Sequence, residues 1–590
     1  MLNSRRGHGA PPAASAAAAS ATAAAASTTP AAPAALATAA SAAAAAADGE
    51  RPERARGWRA ARPRMAWAGV LLAVAVVLFW CYLRQSRTTS VNADGSGMAL
   101  QGWEMLHGNL LLSGWWLADV TFYTFEVPVD AVVAAVHGLN ADVVHVSAAV
   151  VYTLLVLSAA LLARGTARGP EGIVRAVLAA GILVAPAYSP GTHVLLLSPD
   201  HTGIGVPILL TLLFVDRARQ RWWVPPVMCV LLIWAQLDDP LATFAAAAPI
   251  ALVCLVRACL PLVERPQRPQ RPRGRRPGWY DAGLAVAAAA SVAATWLVVA
   301  GIKAAGGYTM ASLGNVREHV PFAEWGSQLK AAGQNVLVLF GADFYDQPAG
   351  IRTVLAFAHF AGLALALAGL AIGVASLFRR ADRVTQILTV GTLGTLAAAT
   401  FGTRMIPIQG AHEIAVVLPF GAVLAGRTLG PWLVSRRLPR RVLTPLLGLA
   451  LAGYLAALGY NASMPERAAE SQGLADWLVA HHLTSGLAKY WSASSATLAS
   501  GGRVRVAPVK GTGKAAYTWV TKPSWYDPAV SAANFVVAVP GEKGTPYAFG
   551  DAAVRRAFGK PSREYRYGRY VIMVWNSNLL LQMPKPEPNP

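Results

Sequence analysis

The sequence predicts a polytopic α-helical membrane protein of about eleven transmembrane helices, ending in a small extracytoplasmic α/β domain. Three observations carry this. Of 590 residues, 55% are hydrophobic and only 14% are charged, well off the balance of soluble domains. Several apolar runs reach the ~20 residues that a bilayer-crossing helix needs. Basic residues gather in short clusters that alternate with long or acidic loops, the pattern left by the positive-inside rule. That last point also disposes of a nucleic-acid partner. The formal charge of +21 sits between apolar segments rather than on one patch. Cys81, Cys229, Cys254 and Cys259 lie in or beside those segments, so neither a disulfide framework nor a cysteine metal site is expected. The Ala, Arg, Gly and Val bias suggests a GC-rich bacterial source.

Residues 1–60 are Ala, Ser, Thr and Pro with scattered Arg. They offer no apolar face to bury and read as a disordered cytoplasmic tail. Arg5–Arg6 is no twin-arginine signal, because the first apolar segment begins some sixty residues later. Arg59, Arg62 and Arg64 fix the N-terminal side of that segment inside.

The membrane domain, 61–460, carries spans near 66–84, 143–163, 171–188, 203–215, 223–237, 241–260, 281–303, 351–377, 384–402, 413–427 and 441–460. The fourth and fifth are short. The loops ARGTARG, DRARQR, ERPQRPQRPRGRRP, FRRADR and SRRLPRR are basic and are placed in the cytoplasm. The opposite loops, among them 85–142, SPDHTG, QLDDP and 304–350, are long or acidic. An odd number of spans then puts 461–583 outside a plasma membrane. There Val504–Pro508, Tyr517–Val520, Phe535–Val539 and Tyr570–Trp575 read as strands. Residues 584–590 form a Pro-rich tail.

Two outer loops have amphipathic character. In 85–142, Leu100, Trp103, Leu106, Leu110 and Leu111 recur at helical spacing, predicting a helix on the membrane surface just after Asp94. In 304–350, Phe322, Trp325, Leu329 and the run Val336–Phe340 suggest a second interfacial segment, with a plain connecting loop as the competing reading.

Span interiors are almost free of charge, unlike those of ion-coupled transporters. The ionisable groups fall instead at the outer ends: Asp94, Asp200, His201, Asp238, Asp239, Lys303, Arg352, Arg404, His412 and Glu413. An Asp there is suited to take a proton from an acceptor hydroxyl. Arg404, Arg352 and Lys303 are suited to a phosphate leaving group. Each residue also has a bland role. Asp94 would cap its helix, Asp200 and Asp238–Asp239 would cap the helices after them, and the arginines would snorkel to headgroups.

The layout resembles the GT-C superfamily of integral-membrane glycosyltransferases, such as protein O-mannosyltransferases and aminoarabinose transferases. The carrying residues are Asp94 in NADGSGMALQGWEMLHGNLLLSGW, Asp200 in SPDHTG, NVLVLFGADF at 335–344 and LAKYWSASSATLASGGRVRVAPV at 487–509. The resemblance implies an acidic residue before an interfacial helix in the first outer loop and a second in a later loop, here Asp94 and Asp200. It also implies a polyprenyl-phosphate sugar donor and an extracytoplasmic glycan, lipid or protein acceptor. Several members carry Asp-Glu in the first loop, whereas Gly95 follows Asp94 here; Glu104, His107 and Asp119 stand as further candidates. On this reading Asp94 is the general base of an inverting transfer, and His201, Lys303, Arg352, Arg404 and His412 bind substrate or phosphate. No cofactor is required outright, though the carboxylates would suit a divalent cation. The rival readings are an envelope-assembly protein that keeps the fold without catalysis, and a lipid or polysaccharide transporter.

Overall fold

The computed structural model describes residues 68–197, 201–263, 278–311, 320–344, 349–377, 379, 382–402, 404–435, 440–467, 470–511, 513–541 and 549–587. The tail at 1–60, Asp200, the loop 264–277 and the last residues of the Pro-rich tail lie outside them. Two compact units divide at Ala73/Val74. Of the first, only the opening of helix α1 is described; the second holds every other described element.

Among the described residues, seven helices are long and apolar enough to cross a membrane: Ala68–Ser86 (α1), Asp142–Arg164, Trp279–Ala304, Ile351–Leu377, Arg383–Gly402, Val417–Val434 and Thr444–Ser463. Four of the expected spans are shorter helical segments. They are Gly169–Leu183, Gly205–Arg217, Val224–Asp238 and the π-helical turn Thr243–Ala247 running into Ala248–Val263. At 1.5 Å per residue, the 13 residues of Gly205–Arg217 reach only about 20 Å. Asp142–Arg164 and Val417–Val434 are 72% buried in their apolar windows, against 22% for α1 and Trp279–Ala304. The first two form the centre of the bundle, and the others expose the leucines and valines a lipid-facing helix shows.

The segment 85–142, expected as the first outer loop, is far more structured than an interfacial helix. Ala93–Leu106 (α2) is followed by Glu126–His137 (α3), with a short strand, Trp116–Leu117 (β1), between them. β1 pairs in parallel with Thr309–Met310 (β2). The α2 face from Gly95 to Gly102 is buried inside protein, while Leu106 and Leu110 are exposed. The helix stops at Leu106, short of Leu110–Leu111, with Gly108 at φ +94° just beyond. In 304–350, Trp325–Phe340 is a helix that buries Val338–Phe340 and leaves Leu329 exposed, with Phe322 exposed in the turn before it.

Residues 485–574 hold a five-stranded sheet. Its strands are Ser485–Lys489 (β3), Arg505–Val509 (β4), Phe535–Ala538 (β5), Arg563–Tyr567 (β6) and Tyr570–Val574 (β7), in the order β4-β3-β5-β7-β6. β3 runs parallel to β4 and β5, and the β5, β7 and β6 neighbours are antiparallel. The helix Tyr490–Ala499 (α4) crosses from β3 to β4. Alternation along the strands feeds two cores. Leu487, Val536 and Met573 face Leu100, Trp115 and Leu117 of the segment 85–142. Phe535, Val537 and Ile572 face Leu474, Leu478 and Ala493. Tyr517–Val520, expected as a strand, is not one; an isolated bridge pairs Ala516 with Val509 just before it, and Tyr517 N–H donates to the Pro508 carbonyl.

Candidate active site

The chemistry of the Asp94 region begins with its helix cap. Asn92, not Asp94, caps α2: its side-chain oxygen accepts the Gly95 N–H at 2.8 Å. Asp94 therefore keeps its carboxylate for other partners, inside the first turn where the helix dipole favours negative charge. Its Oδ1 accepts the Tyr490 hydroxyl at 2.5 Å. Tyr490 opens α4 and is buried, with its ring 4.9 Å from Tyr517. The small residues around Asp94 permit this approach. A Cβ at Gly97 would stand 2.4 Å from Val520 Cγ1, and Ser96 Oγ donates to Ser495 Oγ at 3.3 Å.

A second polar group forms where the helix Val224–Asp238 ends. Asp239 is fully buried, and its Oδ2 lies 2.6 Å from His201 Nδ1. Because the carboxylate accepts, His201 carries a proton on Nδ1. His201 stacks on His412 at 5.4 Å and 16°, with Phe122 edge-on at 5.8 Å. The His412 Nδ1 contacts the Gln409 carbonyl, which likewise places a proton on that nitrogen.

Asp238 does different work. Its Oδ1 accepts the backbone N–H of Phe125 at 2.8 Å and of Thr124 at 3.1 Å. Trp234 Nε1 donates to the Thr124 carbonyl at 3.0 Å. These bonds pin the start of α3 to the helix end and place Glu126 beside Asp238. Glu126 is 1% exposed, and neither of its oxygens has a well-aligned hydrogen-bond partner. Burial first, then the neighbouring Asp238 charge, hold its pKa well above the usual carboxylate range, which favours a proton shared by the pair. The contact requires glycine at 203, where a Cβ would lie 1.9 Å from Glu126 Oε1.

The remaining candidates have separate settings. Lys522 Nζ meets Glu104 Oε1 at 2.6 Å, and Asn109 Nδ2 donates to Glu104 Oε2 at 3.0 Å. Burial alone would raise the Glu104 pKa; these bonds outweigh it and lower it. Glu104 thus ties α2 to the sheet region. His107 stacks on Trp103 at 4.3 Å, its Nδ1 2.7 Å from the Trp103 carbonyl, at the exposed helix end. Asp119 is half-buried just past β1. Arg352 lies over the Tyr188 ring at 4.5 Å, on a 130 Å³ cavity that Asp343 and His359 also line. Arg404 pairs with the exposed Glu324 at 3.1 Å. Lys303 is exposed in the last turn of its helix. Of the predicted set, the structure joins His201, His412, Asp238 and Asp239. It adds Tyr490 and Glu126, whose pairings link segments far apart in sequence and leave no local signal. Among the described residues, no group of three or more His, Cys, Asp or Glu is arranged to hold a metal ion.

No family model matches the chain, and no curated protein sequence matches it. Solved structures of three proteins are similar at low identity. ArnT from Cupriavidus metallidurans, in the apo state, is 13% identical over 88% of this chain and 99% of its own, with a TM-score of 0.49. The same protein bound to undecaprenyl phosphate gives the same score. The oligosaccharyltransferase of Archaeoglobus fulgidus in the apo form is 14% identical over 87% of this chain and 77% of its own, TM-score 0.45. The arabinofuranosyltransferase AftD from Mycobacteria is 14% identical over 86% of this chain and 41% of its own, TM-score 0.43.

Proposed function

We infer that the chain is an integral-membrane glycosyltransferase that moves a sugar from a polyprenyl phosphate to an acceptor hydroxyl on the outer face of the membrane. The observation that carries this reading is the setting of Asp94. It is a carboxylate spared from capping, held by Tyr490 at the junction of the first outer loop with the sheet region. In the proposed step the acceptor oxygen attacks the anomeric carbon while the bond from that carbon to the phosphate oxygen breaks. The acceptor proton passes to Asp94, and polyprenyl phosphate leaves with the bonding pair. One direct displacement inverts the anomeric centre.

Arg352 is the preferred phosphate contact, because its guanidinium already lies over the Tyr188 ring at the edge of a cavity. Arg404 and Lys303 assist from the same end of the bundle. His201, oriented by Asp239, and the adjoining Asp200 position the acceptor. The N-terminus is cytoplasmic on this reading, and the basic loops share its side.

A second reading takes the Asp94–Tyr490 bond as a tie that only fastens α2 to the sheet region, in a protein without catalysis. Purified protein in detergent, given a panel of radiolabelled polyprenyl-phosphate sugars with cell-envelope acceptors, separates the two. Release of polyprenyl phosphate by the wild type and its loss in a folded Asp94→Asn variant support the transferase. Undiminished release in that variant overturns the role of Asp94.

A further inference from the structure

A cavity of about 1210 Å³ opens between the bundle end and the sheet region, and neither Asp94 nor His201 lines it. We propose that this cleft, floored by Arg87 and Asp142 and edged by Arg467, Arg569 and Tyr567, binds an acidic oligosaccharide, a stretch of the acceptor beyond the reacting sugar. Only the word acceptor rests on the proposed function; the binding itself does not.

Small-molecule sites occupy roughly 300–1,000 Å³. This cleft therefore exceeds what one sugar needs and suits several linked ones.

Three arginines and two carboxylates line the cleft. Both carboxylates are already engaged. Arg87 holds Asp142 through two parallel bonds, Nε to Oδ1 at 2.9 Å and Nη2 to Oδ2 at 2.6 Å. Glu466 takes Arg84 at 2.6 Å and Arg87 at 3.6 Å. This network also binds the bundle to the segment entering the sheet region, since Arg467 N–H donates to the Arg87 carbonyl at 2.9 Å. The floor is thus neutralised within itself, and Arg467 and Arg569, both exposed, carry positive charge at the rim. Guanidinium groups recognise planar carboxylates and phosphates in bidentate fashion.

The walls are polar and aromatic. Ser86 Oγ donates to the Leu196 carbonyl at 2.5 Å, so His145 Nδ1, 2.8 Å away, is the donor to Ser86. His145 is thereby fixed as a neutral acceptor at Nε2, able to take a sugar hydroxyl. Tyr567 forms the aromatic wall. Its hydroxyl reaches so close to the helix Glu470–Ala480 that a Cβ at Gly473 would stand 2.5 Å from it. Trp477 backs the ring at 6.2 Å. A rigid aromatic face with donors and acceptors around it is what a pyranose ring, apolar on its flat sides and polar at its edge, requires.

The test uses the full-length protein in detergent and isothermal titration with three soluble probes: trigalacturonate, maltotriose and inorganic phosphate. Trigalacturonate should bind, maltotriose should bind at least tenfold more weakly, and phosphate should not compete at millimolar concentration. Arg467→Ala/Arg569→Ala, changed at two exposed positions, should weaken trigalacturonate roughly tenfold or more. Equal binding of the neutral and acidic trisaccharides, or full affinity in the double variant, overturns the inference, as does no binding at all. Competition by phosphate at equal affinity reduces the site to a simple anion pocket and also overturns it. Trigalacturonate binding in a protein that releases no polyprenyl phosphate would sustain the cleft and count against the transferase.

Discussion

Asp130 offers a test of how the polar face of α3 is built. It lies one turn beyond Glu126, is 3% exposed, and packs so tightly on α2 that a Cβ at Gly102 would sit 3.0 Å from its own. Burial raises its pKa to about 8, and the nearby Ser147 hydroxyl, which makes no well-aligned hydrogen bond, offsets only part of that. An Asp in an unfolded chain titrates near 3.9. Between about pH 4 and about pH 8, the folded protein thus keeps a proton that the unfolded chain has released. The stabilising proton is fully in place below the lower value, and its benefit is lost as pH rises through the upper one. The slope is at most about 1.4 kcal/mol per pH unit, or a ceiling of about 4 kcal/mol between pH 5 and pH 8. Asp130→Asn keeps the shape and removes the titration. Glu126 pushes in the same direction but is present in both proteins and cancels. Thermal unfolding followed by tryptophan fluorescence in detergent should show a constant offset plus an advantage for the variant that grows from pH 5 to pH 8. A difference between variant and wild type that stays flat across that range would refute the reasoning.

Tyr490→Phe removes a hydrogen bond to a charged carboxylate, worth about 1.5–3 kcal/mol. Transfer should fall about ten- to a hundredfold without vanishing, measured as single-turnover donor consumption. Glu104→Gln should leave transfer intact and cost under about 1 kcal/mol near neutral pH, since the pair with Lys522 is partly exposed. Its lowered pKa means that the stabilisation is present above the unfolded value and lost as pH falls through the folded one. The gap to wild type should therefore close in acid, read by the same unfolding assay. Gly203→Ala drives a methyl into Glu126 and should destabilise by about 1–3 kcal/mol; an unchanged unfolding temperature would show that the Glu126 contact is dispensable.

Periodicity and charge made the bundle legible, because a bilayer imposes length and polarity on every crossing segment. The eleven apolar runs all fall on helical segments, and the weakest-looking ones, 203–215 and 223–237, are among the short ones. The strands at Arg505–Val509, Phe535–Ala538 and Tyr570–Val574 were legible as apolar runs bounded by Gly and Pro. Ser485–Lys489 and Arg563–Tyr567 were not. The former is a short run with Gly486 inside, and the latter an edge strand with charged residues facing out. In 85–142 the leucine spacing marked a helix, which ends at Leu106. Its burial depended on Val520, Ser495 and Tyr490, far along the chain, and so it looked interfacial. The same distance hid the Glu126–Asp238 pair and the Tyr490 contact, whereas the choice between Asn92 and Asp94 as cap is local, two residues apart. Asp239 and His201 were visible as outer polar residues, but only the fold brings their side chains to 2.6 Å.

The role of Asp94 is tested most directly by a single-turnover reaction with one radiolabelled polyprenyl-phosphate sugar and its acceptor, comparing wild type with Asp94→Asn and resolving the anomeric configuration of the product. The wild type should give an inverted product, formed in step with free polyprenyl phosphate, and a folded Asp94→Asn variant should be slower on the order of a hundredfold or more. A retained configuration, or a variant as fast as the wild type, would contradict this mechanism.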